Sequence, residues 1–145
     1  MNDPRGLERF VAAQEPVYTR VRAELEAGRK RTHWMWFIFP QLRGLGESPT
    51  SRRFAIASLA EARAYLAHPV LGPRLLECTR LVNAVEGRTL SEVFGFPDDL
   101  KFRSCMTLFA AAGGPQRALF DAALRKYCGG VSDERTLALL TSSLT

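Results

Sequence analysis

Cysteine and histidine are scarce in this chain of 145 residues, with three of the first and two of the second. Cys78, Cys105 and Cys128 are odd in number, lie far apart and form no CxxC or Cys/His spacing. A disulfide framework and a zinc site are therefore not expected. Each cysteine sits among apolar neighbours, as small buried thiols do, and reduced thiols point to the cytosol. Two histidines without a paired carboxylate motif make a poor metal site. No GxSxG nucleophile elbow occurs, so no Ser-His-Asp triad can be read. Walker and Rossmann fingerprints are missing too, and no cofactor is expected. No apolar run approaches the roughly 18 residues of a membrane span, and Met1–Gly6 carries no apolar stretch of the kind found in a secretory signal. Repeats, low-complexity linkers and breaks in composition are all lacking, which predicts one domain over residues 1–145.

The chain does have a folded protein's balance, 46% hydrophobic and 24% charged, and enough length to bury a core without staples. Its net charge of +5 favours anionic partners: nucleotides, phosphates or nucleic acid. The cations are spread out, with Arg29-Lys30-Arg31 the one basic run. A dedicated nucleic-acid binder shows a longer stripe or a known motif, so a small anion is the preferred partner.

Helical periodicity dominates. Leu7, Phe10 and Val11 share one face; Val17, Val21 and Leu25 recur every four residues and Gly28 can end that helix. Arg20, Arg22, Glu24 and Glu26 fall largely off that stripe and are expected to face solvent. The span 43–51 reads as loop. Ser58 and Glu61 have capping-box spacing ahead of a helix that reaches His68-Pro69, where His68 would act as a cation at the helix end. Leu71-Gly72-Pro73 starts another, with Leu75, Cys78, Thr79 and Val82 in step. Leu90, Val93 and Phe94 form a short turn closed by Gly95. Asp98 and Asp99 open a helix whose core stripe is Phe102, Cys105, Met106 and Phe109. Leu119 to Tyr127 and an Asp133-capped segment holding Leu137 and Leu140 complete the pattern. The expected fold is mainly α, a compact single domain of six to eight helices with at most one or two short strands.

The segment Lys30 to Gln41 holds both tryptophans and an unbroken apolar run from Trp34 to Phe39. Every position of the run is apolar, so periodicity does not separate buried helix from buried strand; Pro40 should end it. Such a run is the signature of a plain core element. Flanked by cations, an amide and glycines, it is equally a pocket floor with a polar mouth. On the second reading Lys30, Arg31 or Arg43 neutralises phosphate and Trp34 or Trp36 stacks on a base. In the loop Gln41 to Ser48, Gly44 and Gly46 let backbone N–H groups approach an anion, and Arg43 and Ser48 add donors. Lys101 and Ser104 share a helix face apart from the core stripe, one turn after Asp98. His33 is a possible general acid or base or an ordinary hydrogen-bonded histidine. Asp98 or Asp99 with Lys101 could stabilise an oxocarbenium-like centre or position water. The expectation is that Lys30, His33, Gln41 and Lys101 converge on one pocket.

The stretches GRKRTHWMWFIFPQLRGLGES (Gly28 to Ser48), EARAYLAHPVLGPRLLEC (Glu61 to Cys78) and FGFPDDLKFRSCMTLF (Phe94 to Phe109) resemble the bacterial family known as domain of unknown function 1810. The resemblance runs from about Leu7 to Leu140. It implies a compact, mainly α domain and no particular activity. Some members carry the label calpastatin, but calpastatin is a disordered protease inhibitor and this composition is that of a folded core. More distantly, the chain is similar to the NADAR group, which acts on ADP-ribose conjugates. Pro69, Gly72, Arg74, Lys101 and Met106 would be the matching positions, although Met106 follows Lys101 by five residues where the group's pattern has four. The functional expectation is a domain binding a nucleotide- or ADP-ribose-like anion, with hydrolysis of its N-glycosidic bond as the associated chemistry. The alternative is a non-enzymatic interaction domain whose basic surface meets a protein or nucleic acid.

Overall fold

The computed structural model describes residues 3–142; Met1, Asn2 and residues 143–145 of the expected domain lie outside the described residues. Ten helices follow one another: α1 (Glu8–Gln14), α2 (Tyr18–Glu26), α3 (Met35–Ile38), α4 (Pro49–Arg53), α5 (Leu59–Ala67), α6 (Leu71–Ala84), α7 (Leu90–Phe94), α8 (Asp98–Ala112), α9 (Arg117–Cys128) and α10 (Glu134–Ser142). The mainly α expectation holds, with ten helices in place of six to eight. Two come from segments whose apolar pattern is uninformative. The aromatic run resolves as the single-turn helix α3, and α4 begins inside the expected loop and runs past its end. Ser48 accepts from the backbone N–H of Ser51 at 3.1 Å, and Pro49 takes the first helical position, which suits its fixed φ. Among the described residues there is no strand, only a parallel bridge between Leu42 and Ile56.

Helix α8 is the axis of the molecule. It packs against α5, α7, α9 and α10, while α6 closes the other side against α2, α5 and α9. The core stripe Phe102, Cys105, Met106 and Phe109 is buried as its spacing requires, but so are Ser104, Thr107 and Leu108. Past its first turn the helix is enclosed on most sides, so Ser104 turns its hydroxyl back to the Leu100 carbonyl at 3.1 Å. Phe39, Phe94 and Phe102 meet with centroids 5.0–5.7 Å apart, which locks α3 onto α7 and α8. One cluster of buried apolar residues runs from Leu7 to Leu140.

Two local readings change. Ser58 does accept from the N–H of Glu61 at 3.2 Å, but the Glu61 carboxylate reaches Arg9 at 3.4 Å instead of closing the box; the full capping box is Thr89 with Glu92. His68 serves the helix that follows α5 as well as the end of α5. Its Nδ1 accepts the backbone N–H groups of Val70 and Leu71 at 3.1 and 3.3 Å and so caps the start of α6. The corner there needs Gly72, where a Cβ would sit 2.1 Å from the Leu66 carbonyl oxygen.

Candidate functional site

The segment from Gln41 to Ile56 is pinned at its base by two backbone bonds of 2.8 Å, Arg43 N–H to the Ile56 carbonyl and Ile56 N–H to the Gln41 carbonyl. Within the loop the chain turns at Gly44, with φ at +103°. Gly46 lies so close to Ser51 that a Cβ would come within 2.6 Å of it. The loop is thereby folded onto α4 and stands away from α3. Between the loop, α3 and the first turns of α8 lies a cavity of about 390 Å³.

Its walls divide by chemistry. Met35, Phe39, Leu42, Phe54 and Ala55 are buried and form an apolar floor, and half-buried Trp36 adds an indole face. Gln41, Arg43, Glu47, Arg52 and Lys101 form the mouth. Three cations therefore stand against one carboxylate. The side chains of Gln41, Arg43, Glu47 and Arg52 have no hydrogen-bond or ion-pair partner among the described residues.

Lys101 differs. Its ammonium lies 5.1 Å from the Trp36 ring centroid and 3.4 Å from Asp98 Oδ1. The other oxygen of Asp98 is 2.9 Å from Lys30, whose ammonium lies 5.2 Å from the Trp34 ring centroid. Asp98 thus joins two lysines, each seated over a tryptophan.

The expected residues separate accordingly. Trp36, Gln41, Arg43, Gly44, Gly46 and Lys101 line one cavity. Lys30 and Asp98 stand behind Lys101, connected to the cavity through it. The remaining candidates do not line it. Trp34 is 1% exposed and offers no face to a ligand. Ser104 is enclosed in α8, and Ser48 is used as the cap of α4. Asp99 accepts from the Leu100 N–H and lines a separate shallow groove with Thr89, Ser91 and Arg103. Arg31 and His33 are exposed on the approach to Trp34. The expected convergence of Lys30, His33, Gln41 and Lys101 therefore holds for Gln41 and Lys101, reaches Lys30 indirectly, and omits His33. Trp34, the residue that caps α3, and Trp36, inside it, have different surroundings, so one flank of the run is core and the other cavity.

Sequence reading overlooked Glu47 as a functional group, along with Ser51, Arg52 and Phe54. The available signal was Ser48-Pro49, a cap followed by a proline, which announces a helix and would have placed Arg52 on it. It also misplaced Glu24. That carboxylate is 7% exposed, and one of its oxygens accepts the N–H groups of Arg31, Thr32 and the Trp34 indole at 2.7, 3.0 and 3.0 Å. The other accepts the Thr32 hydroxyl at 2.6 Å. Burial alone would raise its pKa; the four hydrogen bonds outweigh that and hold it below the ordinary carboxylate value. The spacing contained the clue, since Glu24 lies seven residues after Val17 and three after Val21, on the margin of the buried stripe.

The thiols are closed off. Cys78 and Cys105 are buried and Cys128 is half-buried; all three are free, and burial pushes the Cys78 thiol up to about 12. Among the described residues no helix is long and apolar enough to cross a membrane.

The chain has relatives at the level of sequence and of structure. It is similar to a conserved hypothetical protein, Rv1873 from Mycobacterium tuberculosis, known from a crystal structure: 62% identity, 96% of this chain and 99% of that chain covered, TM-score 0.94. No curated protein matches. Residues 4–140 match the family described as "Protein of unknown function (DUF1810)", to which this chain belongs.

Proposed function

We propose that this domain binds a small anion that also carries a flat ring, a nucleotide-like ligand, in the cavity beside Trp36. One observation carries the reading. Polar side chains without partners among the described residues, three of them charged, surround an apolar floor that ends in the half-buried Trp36 indole. Cations at the mouth suit phosphate, the floor and Trp36 suit a base, and the Gln41 amide can pair with a ring edge. The volume lies near the low end of the roughly 300–1,000 Å³ usual for ligand sites, which suits a single nucleoside unit better than a dinucleotide.

Hydrolysis of an N-glycosidic bond through Asp98 or Asp99 has less support. A carboxylate that activates water or meets an oxocarbenium centre must face the ligand. Asp98 is engaged by Lys30 and Lys101, and Asp99 lies on another surface.

The test is thermal shift with AMP, ADP-ribose, NAD and a single-stranded oligonucleotide, each at low and high salt. A ligand at about a hundredfold excess over its Kd adds about 2.7 kcal/mol, enough to move Tm by several degrees in a chain of this size. We expect AMP to stabilise at low salt and less at high salt, because the mouth is exposed to screening. Stabilisation by none of the small molecules would favour the interaction-domain reading, to which Phe96, 78% exposed beside Leu100 at 50%, lends an apolar contact surface.

A further inference from the structure

We infer that Glu47 is the residue that reads the ligand's sugar, so that the cavity selects a ribonucleoside monophosphate over its 2′-deoxy counterpart. The inference rests on the nucleotide reading of the cavity and adds a discriminating group to it.

Glu47 is out of place in a site for a plain anion. A carboxylate on the wall repels phosphate and opposes the effect of Arg43, Arg52 and Lys101. Among the described residues no cation neutralises it: it forms no ion pair within 4.0 Å, although two arginines line the same cavity. A carboxylate is acceptor-only and takes up to four donors. Its presence therefore favours a ligand that combines negative charge with hydrogen-bond donors.

Chain order says which donors. Glu47 lies in the loop between Arg43 and Arg52, the two arginines of the mouth, whereas Trp36 and Gln41 belong to α3 and the segment just after it. With the base on the Trp36 side and the phosphate on the arginine side, covalent connectivity puts the ribose between them. Its two vicinal hydroxyls are then the donors nearest a carboxylate on the arginine loop. A carboxylate accepting ribose hydroxyls is a pairing that charge assistance strengthens, and one that a deoxyribose leaves incomplete. Removing a donor from a pair with a charged acceptor costs about tenfold in affinity or more.

The experiment is calorimetric titration of the parent and of Glu47→Gln with AMP and with 2′-deoxy-AMP at one fixed low salt concentration. Glu47 is exposed and has no side-chain partner among the described residues, so the variant retains the fold, which its unfolding midpoint verifies. The expected result is that the parent prefers AMP by about tenfold. In Glu47→Gln that ratio should fall toward one, with deoxy-AMP bound as tightly as by the parent or more tightly, since a like charge is gone. Equal binding of the two nucleotides by the parent, or an undiminished preference in the variant, overturns the role of Glu47 while leaving the cavity a nucleotide site. Failure of both nucleotides to bind the parent overturns the nucleotide reading, and this inference with it.

Discussion

The two tryptophans are two residues apart, one capping α3 and one inside it, and each has a lysine over its ring, yet their surroundings are built on opposite principles. Around Trp34 the groups that meet the ring are paired: the indole N–H, two backbone N–H groups and the Thr32 hydroxyl all end on Glu24, and Lys30 ends on Asp98. Around Trp36 most are not, because Gln41, Arg43, Glu47 and Arg52 converge without a partner among the described residues. A buried polar group must be satisfied internally or it destabilises the fold. An unpartnered group at the rim of a cavity is satisfied by water and is free to exchange water for a ligand. The contrast separates a flank that holds the fold from a flank that is open to chemistry. Asp98 is the hinge between them, shared by Lys30 and Lys101.

Substitution of the tryptophans tests that contrast most directly. Trp34→Ala removes a fully enclosed ring and should lower stability by about 3–5 kcal/mol. Trp36→Ala, at the edge of a cavity that already exists, should cost clearly less and should instead remove nucleotide binding. Chemical denaturation of both variants checks the order, and equal losses would erase the distinction between the flanks.

Next in size is Glu24→Gln. An amide can accept only through its oxygen and presents N–H to groups that are themselves donors, so a loss of about 2–3 kcal/mol is expected. The pH dependence has a definite sign. The folded-state pKa of Glu24 lies below its ordinary value of 4.5. Its contribution is therefore complete above that value and fades as pH falls through the lower, folded-state value. The gap in unfolding midpoint between parent and Glu24→Gln should be wide at neutral pH and narrow below the ordinary carboxylate range. A gap independent of pH would mean that charge plays no part.

The smallest effect on the fold belongs to Lys101→Met. Asp98 keeps Lys30 at 2.9 Å, and the methionine covers Trp36 much as the lysine stem does, so the loss should stay under about 1 kcal/mol. Anion binding should weaken markedly, and its dependence on salt should become shallower. Unchanged affinity for AMP would place the anion at the arginines alone.

The helices α5, α6, α8 and α9 were legible in the sequence because each has a one-sided stripe, a start signal and a glycine or proline stop. The end of α9 is a case in point: Gly129 takes the left-handed conformation at φ +61° that closes a helix. Helix α3 was not legible in this way, since a segment apolar at every position carries no period. Half the candidate site was visible for a similar local reason. Gln41, Arg43, Gly44 and Gly46 flank the aromatic run, and the chemistry of a pocket mouth can be read from neighbours in the chain.

What the sequence determined by itself is therefore the helical class, the positions of most helix ends and the concentration of aromatic and cationic residues near position 36. These rest on periodicity, capping and composition, which act over a few residues. Tertiary structure alone decided that Trp34 faces inward and Trp36 the cavity, that Glu24 is buried, that Asp98 joins Lys30 to Lys101 across about seventy residues of chain, and that Glu47 and Arg52 stand at the mouth. Those outcomes depend on which helix covers which face. The packing of α8 among its neighbours sets that, and no local pattern in the chain encodes it.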